Sequence, residues 1–177
     1  MLTGLKFTRF VGGSASDAFK MVFGSITFDI GDGKGPNPTD GNCSTTSGTI
    51  SCNNAPDIGT AVHEMFHSFD KRYQELSSGD GDLLASNYYP YEWVADGNYQ
   101  SGGYKCSDDN CLAHPPDYPG YDSSEAFANL GENWVLGTSG IDPEHFGFAD
   151  NIAGQNLNNW MNWMMPTFLS NMGLGLR

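Results

Sequence analysis

Positive charge is scarce in this sequence: Lys and Arg supply 8 of 177 residues against 21 Asp and Glu, a formal net charge of −13. Nucleic acid and anionic membrane both reward Lys and Arg, so this balance argues against either partner. A neutral or basic polypeptide is compatible with it. Long apolar runs are missing as well. No stretch approaches the roughly 20 apolar residues that span a bilayer. The opening MLTGLKFTRFVGG has no apolar core of the signal-peptide kind and reads as the start of a strand. A mature domain and a piece of a longer precursor both fit such a beginning. Histidine and cysteine are rare, four of each, so their positions carry information.

What is present is globular. With 38% hydrophobic and 13% aromatic residues, one domain over residues 1–177 can bury a core. The 23 glycines and 9 prolines predict long irregular connections rather than a compact helical bundle. The cysteines fall as two local pairs in loop-like sequence, and the expected disulfides are Cys43–Cys52 and Cys106–Cys111. Each would stabilise by about 2–3 kcal/mol and implies an oxidising compartment, hence a secreted protein. A structural zinc site competes with that reading, but the tight C-x2-C spacing is absent. Asn42-Cys43-Ser44 matches a glycosylation acceptor.

The expected class is α+β. Leu5–Val11 and Ser25–Ile30 read as strands from their β-branched and aromatic content; Ser14–Phe23 fits a short helix or a strand. Gly31–Asn42 is a turn-rich loop, and Thr49–Cys52 a short strand closing the first cysteine pair. The clearest helix runs from about Asp57 to Tyr73, started by Pro56 and Asp57. Ser77–Pro119 is mostly loop, with a short helix near Tyr91–Asp96. Further helices are expected over Asp122–Leu136 and Asn156–Met172, the latter packing through Leu157, Trp160, Met161, Met164 and Phe168.

His63-Glu64-Met65-Phe66-His67 is an H-E-x-x-H pattern. Histidines four apart share one helix face, so both imidazoles can reach one ion, while Glu64 stands beside them as a base. At about 100° per residue, His63, His67 and Asp70 form one stripe. Ile58, Val62, Met65, Phe66, Phe69 and Tyr73 form another, apolar one. A helix carrying a metal face and a core face is arranged this way. Zinc is the expected ion, because catalytic zinc takes three protein ligands and keeps one open position.

The third ligand is open. The long metzincin form fails, since Asp70 and Tyr73 stand where it wants Gly and then His or Asp. The Gly137–Asp142 segment misses the G-T-x-x-D form by one residue. Two glutamates remain: Glu92, in Glu92-Trp93-Val94-Ala95-Asp96, and Glu125, in Glu125-Ala126-Phe127-Ala128. The E-x-x-x-D form at Glu92 resembles the third-ligand helix of thermolysin-like peptidases. The combination H-E-x-x-H-x-x-D followed by E-x-F-A resembles the lethal-factor-like metallopeptidases, which include secreted Pro-Pro endopeptidases. That resemblance covers two helices and a tyrosine. It implies a small zincin fold, with Glu125 as third zinc ligand and Tyr118 facing the scissile carbonyl. Asn129 replaces the family's usual second glutamate. Glu125 also fits a capping-box start with Asp122, and Asp70 either orients His67 or is a surface aspartate. His114 and His145 are alternative ligands. Asp80 and Asp82 invite calcium but miss the EF-hand pattern.

The reading is a monomeric zinc endopeptidase acting on polypeptides, with Glu64 as general base and Tyr118 as an oxyanion donor. Its competitors are a non-catalytic zinc-binding or adhesive domain and a structural domain with a chance motif. The zincin fold predicts a twisted, mostly antiparallel sheet from the N-terminal half lying over the H-E-x-x-H helix.

Overall fold

In a computed structural model, the described residues are 2–31, 43–46, 48–77, 99–100, 103–104, 123–137 and 152–176; for 2, 99–100, 103–104, 123–126, 152–157 and 160 the description is of the backbone alone. They form five helices and two small sheets, an α+β chain as expected.

The first segment departs from expectation. Residues Leu2–Val11 are a helix, α1, not a strand. Thr3, Phe7 and Val11 are buried while Leu5 is 52% exposed. A strand would put Leu5 and Phe7 on the same face; the observed repeat of four is helical. Side-chain spacing outweighed the β-branched and aromatic content. Gly12 ends the helix at φ 72°, its N–H donating to the Thr8 carbonyl at 2.8 Å, a conformation glycine adopts without strain.

Ser14 then starts α2 (Ala15–Phe23) through a capping box. The Asp17 N–H donates to Ser14 Oγ at 3.1 Å, and the Ser14 N–H to Asp17 Oδ2 at 3.2 Å. That reciprocal pair decides the segment as helix. Bonds from the Ser14 hydroxyl, then from its backbone N–H, hold the Asp17 carboxyl below its ordinary pKa.

Strands β1 (Thr27–Ile30), β2 (Cys43–Thr46) and β3 (Thr49–Cys52) make one sheet in the order β1-β3-β2. β2 and β3 are antiparallel, but β1 and β3 are parallel, with Thr27 opposite Thr49 and Ile30 opposite Cys52. The sheet is therefore mixed rather than mostly antiparallel: the short hairpin after β2 reverses the chain, so that β3 runs antiparallel to β2 and in the same direction as β1. A further pair, β4 (Tyr99–Gln100) and β5 (Gly103–Tyr104), is antiparallel.

Cys43 and Cys52 face each other across β2 and β3 and are joined by a disulfide, as expected. The expected Cys106–Cys111 pair and the helix near Tyr91–Asp96 lie outside the described residues. Replacing both Cys43 and Cys52 with Ser should lower unfolding stability by about 2–3 kcal/mol, read as a shifted denaturant midpoint. An unchanged midpoint would mean that the hairpin holds its register without the cross-link.

Strands of four residues cannot roof a helix of 19 residues. The sheet meets only part of α3 (Ile58–Leu76), and α1 and α2 reach its apolar side through Phe7 and Phe23. Phe7 and Phe23 pack on Phe69, with ring centroids 6.0 and 5.9 Å away. From the other side come α4 (Ser123–Leu136) and α5 (Ile152–Asn171), within a residue and about one turn of their expected starts. Phe127, Leu130 and Trp134 of α4 are buried, with Met161, Met165, Phe168 and Leu169 of α5. Of the residues whose spacing predicts packing, Met161 and Phe168 are buried and Met164 is partly buried, while the side chains of Leu157 and Trp160 lie outside the described residues; Trp163 is exposed. At the α1–α4 contact the Lys6 ammonium stands 5.0 Å from the Trp134 ring. The ring favours its charge, but burial first and Arg9 second still lower its pKa to about 8.

At Gly131, α4 packs directly on the Phe66 ring of α3. A Cβ there would lie 2.0–2.4 Å from ring carbons of Phe66, itself fully buried. Only a residue without a side chain lets the two helices pack at this distance. Among the described residues, no helix is long and apolar enough to cross a membrane.

Candidate metal centre

The helix that carries H-E-x-x-H is built as its sequence predicts. Asp57 caps it, accepting the Thr60 N–H at 2.7 Å, which satisfies one of the donors left over at a helix start. It runs on past Tyr73 to Leu76. Val62, Phe66, Phe69 and Tyr73 are buried on the core stripe, whereas Ile58, at the first turn, is 48% exposed.

Opposite that stripe, His63, Glu64 and His67 each offer a ligand atom within 4.8 Å of the others. The two imidazoles stand edge to face, planes at 78°, with their Nε2 atoms 3.1 Å apart. Two nitrogens bound tetrahedrally to one ion at about 2.0–2.1 Å would be roughly 3.3 Å apart, so the spacing suits a shared ion.

The tautomer also suits one. His63 Nδ1 is 2.8 Å from Asn129 Oδ1 on α4. An amide oxygen only accepts, so this contact favours the tautomer with the proton on Nδ1, which leaves Nε2 its lone pair. Glu132, one turn further along α4, places Oε2 3.9 Å from the same Nδ1. Asn129 and Glu132 are 5% and 1% exposed, so both act on the imidazole from within the protein. Room for the Glu132 carboxylate comes from Gly59 of α3, where a Cβ would sit 2.6 Å from Oε1.

Glu64 is buried, and strand β2 holds it there. The Thr45 hydroxyl donates to Glu64 Oε2 at 2.5 Å and lies 3.2 Å from the Glu64 carbonyl oxygen. The Lys71 ammonium, two turns along α3, donates to the Thr45 carbonyl. One residue of β2 is thus tied to α3 through both its side chain and its backbone, while the disulfide ties β2 to β3.

Asp70 is 1% exposed, which rules out the surface-aspartate reading. Glu125 lies within α4, one turn before Asn129; its side chain lies outside the described residues. Tyr118, Glu92, His114, His145, Asp80 and Asp82 also lie outside them. Thr45 and Glu132 are additions that sequence reasoning did not supply. Glu132 had a usable signal: Glu125, Asn129 and Glu132 repeat the i, i+4, i+7 spacing of His63, His67 and Asp70. Nothing local marks Thr45.

Asn129→Ala should weaken zinc binding about 10–100-fold, read by competition with a chelator of known affinity. Unchanged affinity would show that Asn129 does not set the tautomer of His63.

Comparison of the chain with protein-family models, with curated protein sequences and with solved structures finds no match.

Proposed function

We propose that this chain is a zinc-dependent endopeptidase, with His63 and His67 as ligands and Glu64 as the general base. The observation that carries the reading is the convergence of two imidazole Nε2 atoms beside a buried carboxylate, with Asn129 favouring the ligating tautomer of His63 from behind. Two imidazoles that can share one ion are donors that zinc favours, and the Glu64 carboxylate beside them is placed as a base. Bound there, zinc would supply Lewis acidity toward a water and a carbonyl oxygen.

The protein's own part is proton handling and orientation. Thr45 keeps Glu64 Oε2 engaged, so Oε1 is the atom that takes the proton from the attacking water and later returns it to the leaving amine. Asn129 and Glu132 fix the direction of the His63 ring. Glu125 completes the ligand set in this proposal, on the strength of its E-x-F-A segment and its place in α4, and Tyr118 donates to the tetrahedral oxyanion. Glu92 is the alternative third ligand. This is the lethal-factor-like reading, for a monomer acting on polypeptide substrates. The Cys43–Cys52 disulfide favours secretion, since such bonds persist in oxidising compartments.

Incubation of the zinc-loaded protein with a peptide library tests this. Internal cleavage should appear, fall to the buffer level after chelation and return with one equivalent of zinc. Cleavage that survives complete metal removal would contradict it.

A further inference from the structure

Glu64 and Lys71 stand two turns apart along one side of α3, and both reach the same residue of β2. The Thr45 hydroxyl donates to Glu64 Oε2 at 2.5 Å, and the Thr45 carbonyl accepts from the Lys71 ammonium. Side chains on a helix lean toward its N-terminus, so the Lys71 stem runs back toward Glu64. Lys71 is partly buried and lies before the last turn, unlike a lysine that serves only the end of its helix.

The pairing of β2 explains why that carbonyl is open to a side chain. In the order β1-β3-β2, β2 is an edge strand. Cys43 and Cys52 face each other with Cα atoms 4.1 Å apart, the close spacing of an antiparallel pair that exchanges no backbone hydrogen bonds. Thr45 and Ile50, two residues along the same ladder, form a pair of the same kind. The Thr45 carbonyl therefore points away from β3 and takes its donor from outside the sheet, and Lys71 supplies one with a full charge. The Thr45 hydroxyl has a single hydrogen and two acceptors in range, Glu64 Oε2 at 2.5 Å and the Glu64 carbonyl oxygen at 3.2 Å. Which of them it serves depends on where β2 sits against α3, and the Lys71 bond fixes that position.

We propose that Lys71 is a positioning residue for the general base: by holding the Thr45 carbonyl it keeps the Thr45 hydroxyl on Glu64 Oε2 and leaves Oε1 for the attacking water. The catalytic consequence rests on the peptidase reading; the orientation of Glu64 by Lys71 does not.

Two measurements on the full chain test this: turnover of a cleaved peptide, and the resonance of the Glu64 side-chain carboxyl carbon in isotope-labelled protein. Lys71→Met should lower kcat about 10- to 100-fold, the scale of a misplaced catalytic group, with KM and zinc affinity unchanged. Thr45→Val should lose as much. Lys71→Arg, which restores a cationic donor, should return most of the rate. The Glu64 resonance in Lys71→Met should move toward its position in Thr45→Val and return in Lys71→Arg, a pattern that a merely stabilising lysine would not produce. Should Lys71→Met fail to fold, Lys71→Gln decides on the same two readouts. A wild-type chain that cleaves nothing, with the resonance following this pattern, would remove the peptidase reading and leave Lys71 as the residue that orients Glu64. A resonance unmoved in Lys71→Met, whatever happens to kcat, would overturn the proposal.

Discussion

Glu64→Gln is expected to lower peptide hydrolysis by at least about 10²–10⁴-fold while leaving zinc content and melting temperature unchanged. The substitution keeps the size of the side chain, and the Gln carbonyl oxygen can still accept from the Thr45 hydroxyl that now bonds Glu64 Oε2 at 2.5 Å. Packing at this buried position is preserved. What is lost is the ability to accept a proton, since an amide oxygen is a poor base. A fall in zinc affinity together with activity would instead make Glu64 a ligand. A variant that cleaves at nearly the wild-type rate would remove Glu64 from the chemistry.

The largest effect on folding is expected at Gly131. A Cβ would overlap the Phe66 ring, with contacts of 2.0–2.4 Å, and neither side can yield cheaply. Phe66 is fully buried, packed against Trp134 at 6.3 Å and Phe127 at 6.1 Å. Overpacking a dense core costs about 1–3 kcal/mol and occasionally more. With three contacts this short, Gly131→Ala should lie at or above the upper end, or fail to fold. Phe66→Leu in the same chain should recover part of the loss, because it empties the space the new methyl needs. The double-mutant cycle reads this directly. Zinc affinity should fall with stability in the single variant, since α3 carries both histidines and α4 carries Asn129. Additive effects would show that Gly131 and Phe66 do not share the contact.

What could be read from sequence was what depends on neighbours along the chain. The cap at Asp57, the separation of core and metal stripes on α3 and the pairing of Cys43 with Cys52 all follow from local spacing. The misreading of Leu5–Val11 came from weighing residue types above the Thr3–Phe7–Val11 repeat. The Ser14–Asp17 capping box held a decision that composition left open. Other features depend on contacts between distant segments. The parallel pairing of β1 with β3 needs the chain to return past a long connection, and no periodicity encodes that. Thr45 reaches Glu64 across the sheet–helix boundary, and Asn129 reaches His63 from another helix. Even so, Gly131 was a usable hint. A glycine inside a helix costs about 1 kcal/mol relative to alanine, which signals that something needs the room.

The central claim is that His63 and His67 hold a metal ion. Zinc titration of the wild-type chain beside His67→Ala, each followed by measurement of metal retained after gel filtration, tests it most directly. One zinc per chain in the wild type and none retained by the variant is the predicted result. No zinc in the wild type, or equal retention by His67→Ala, would contradict it.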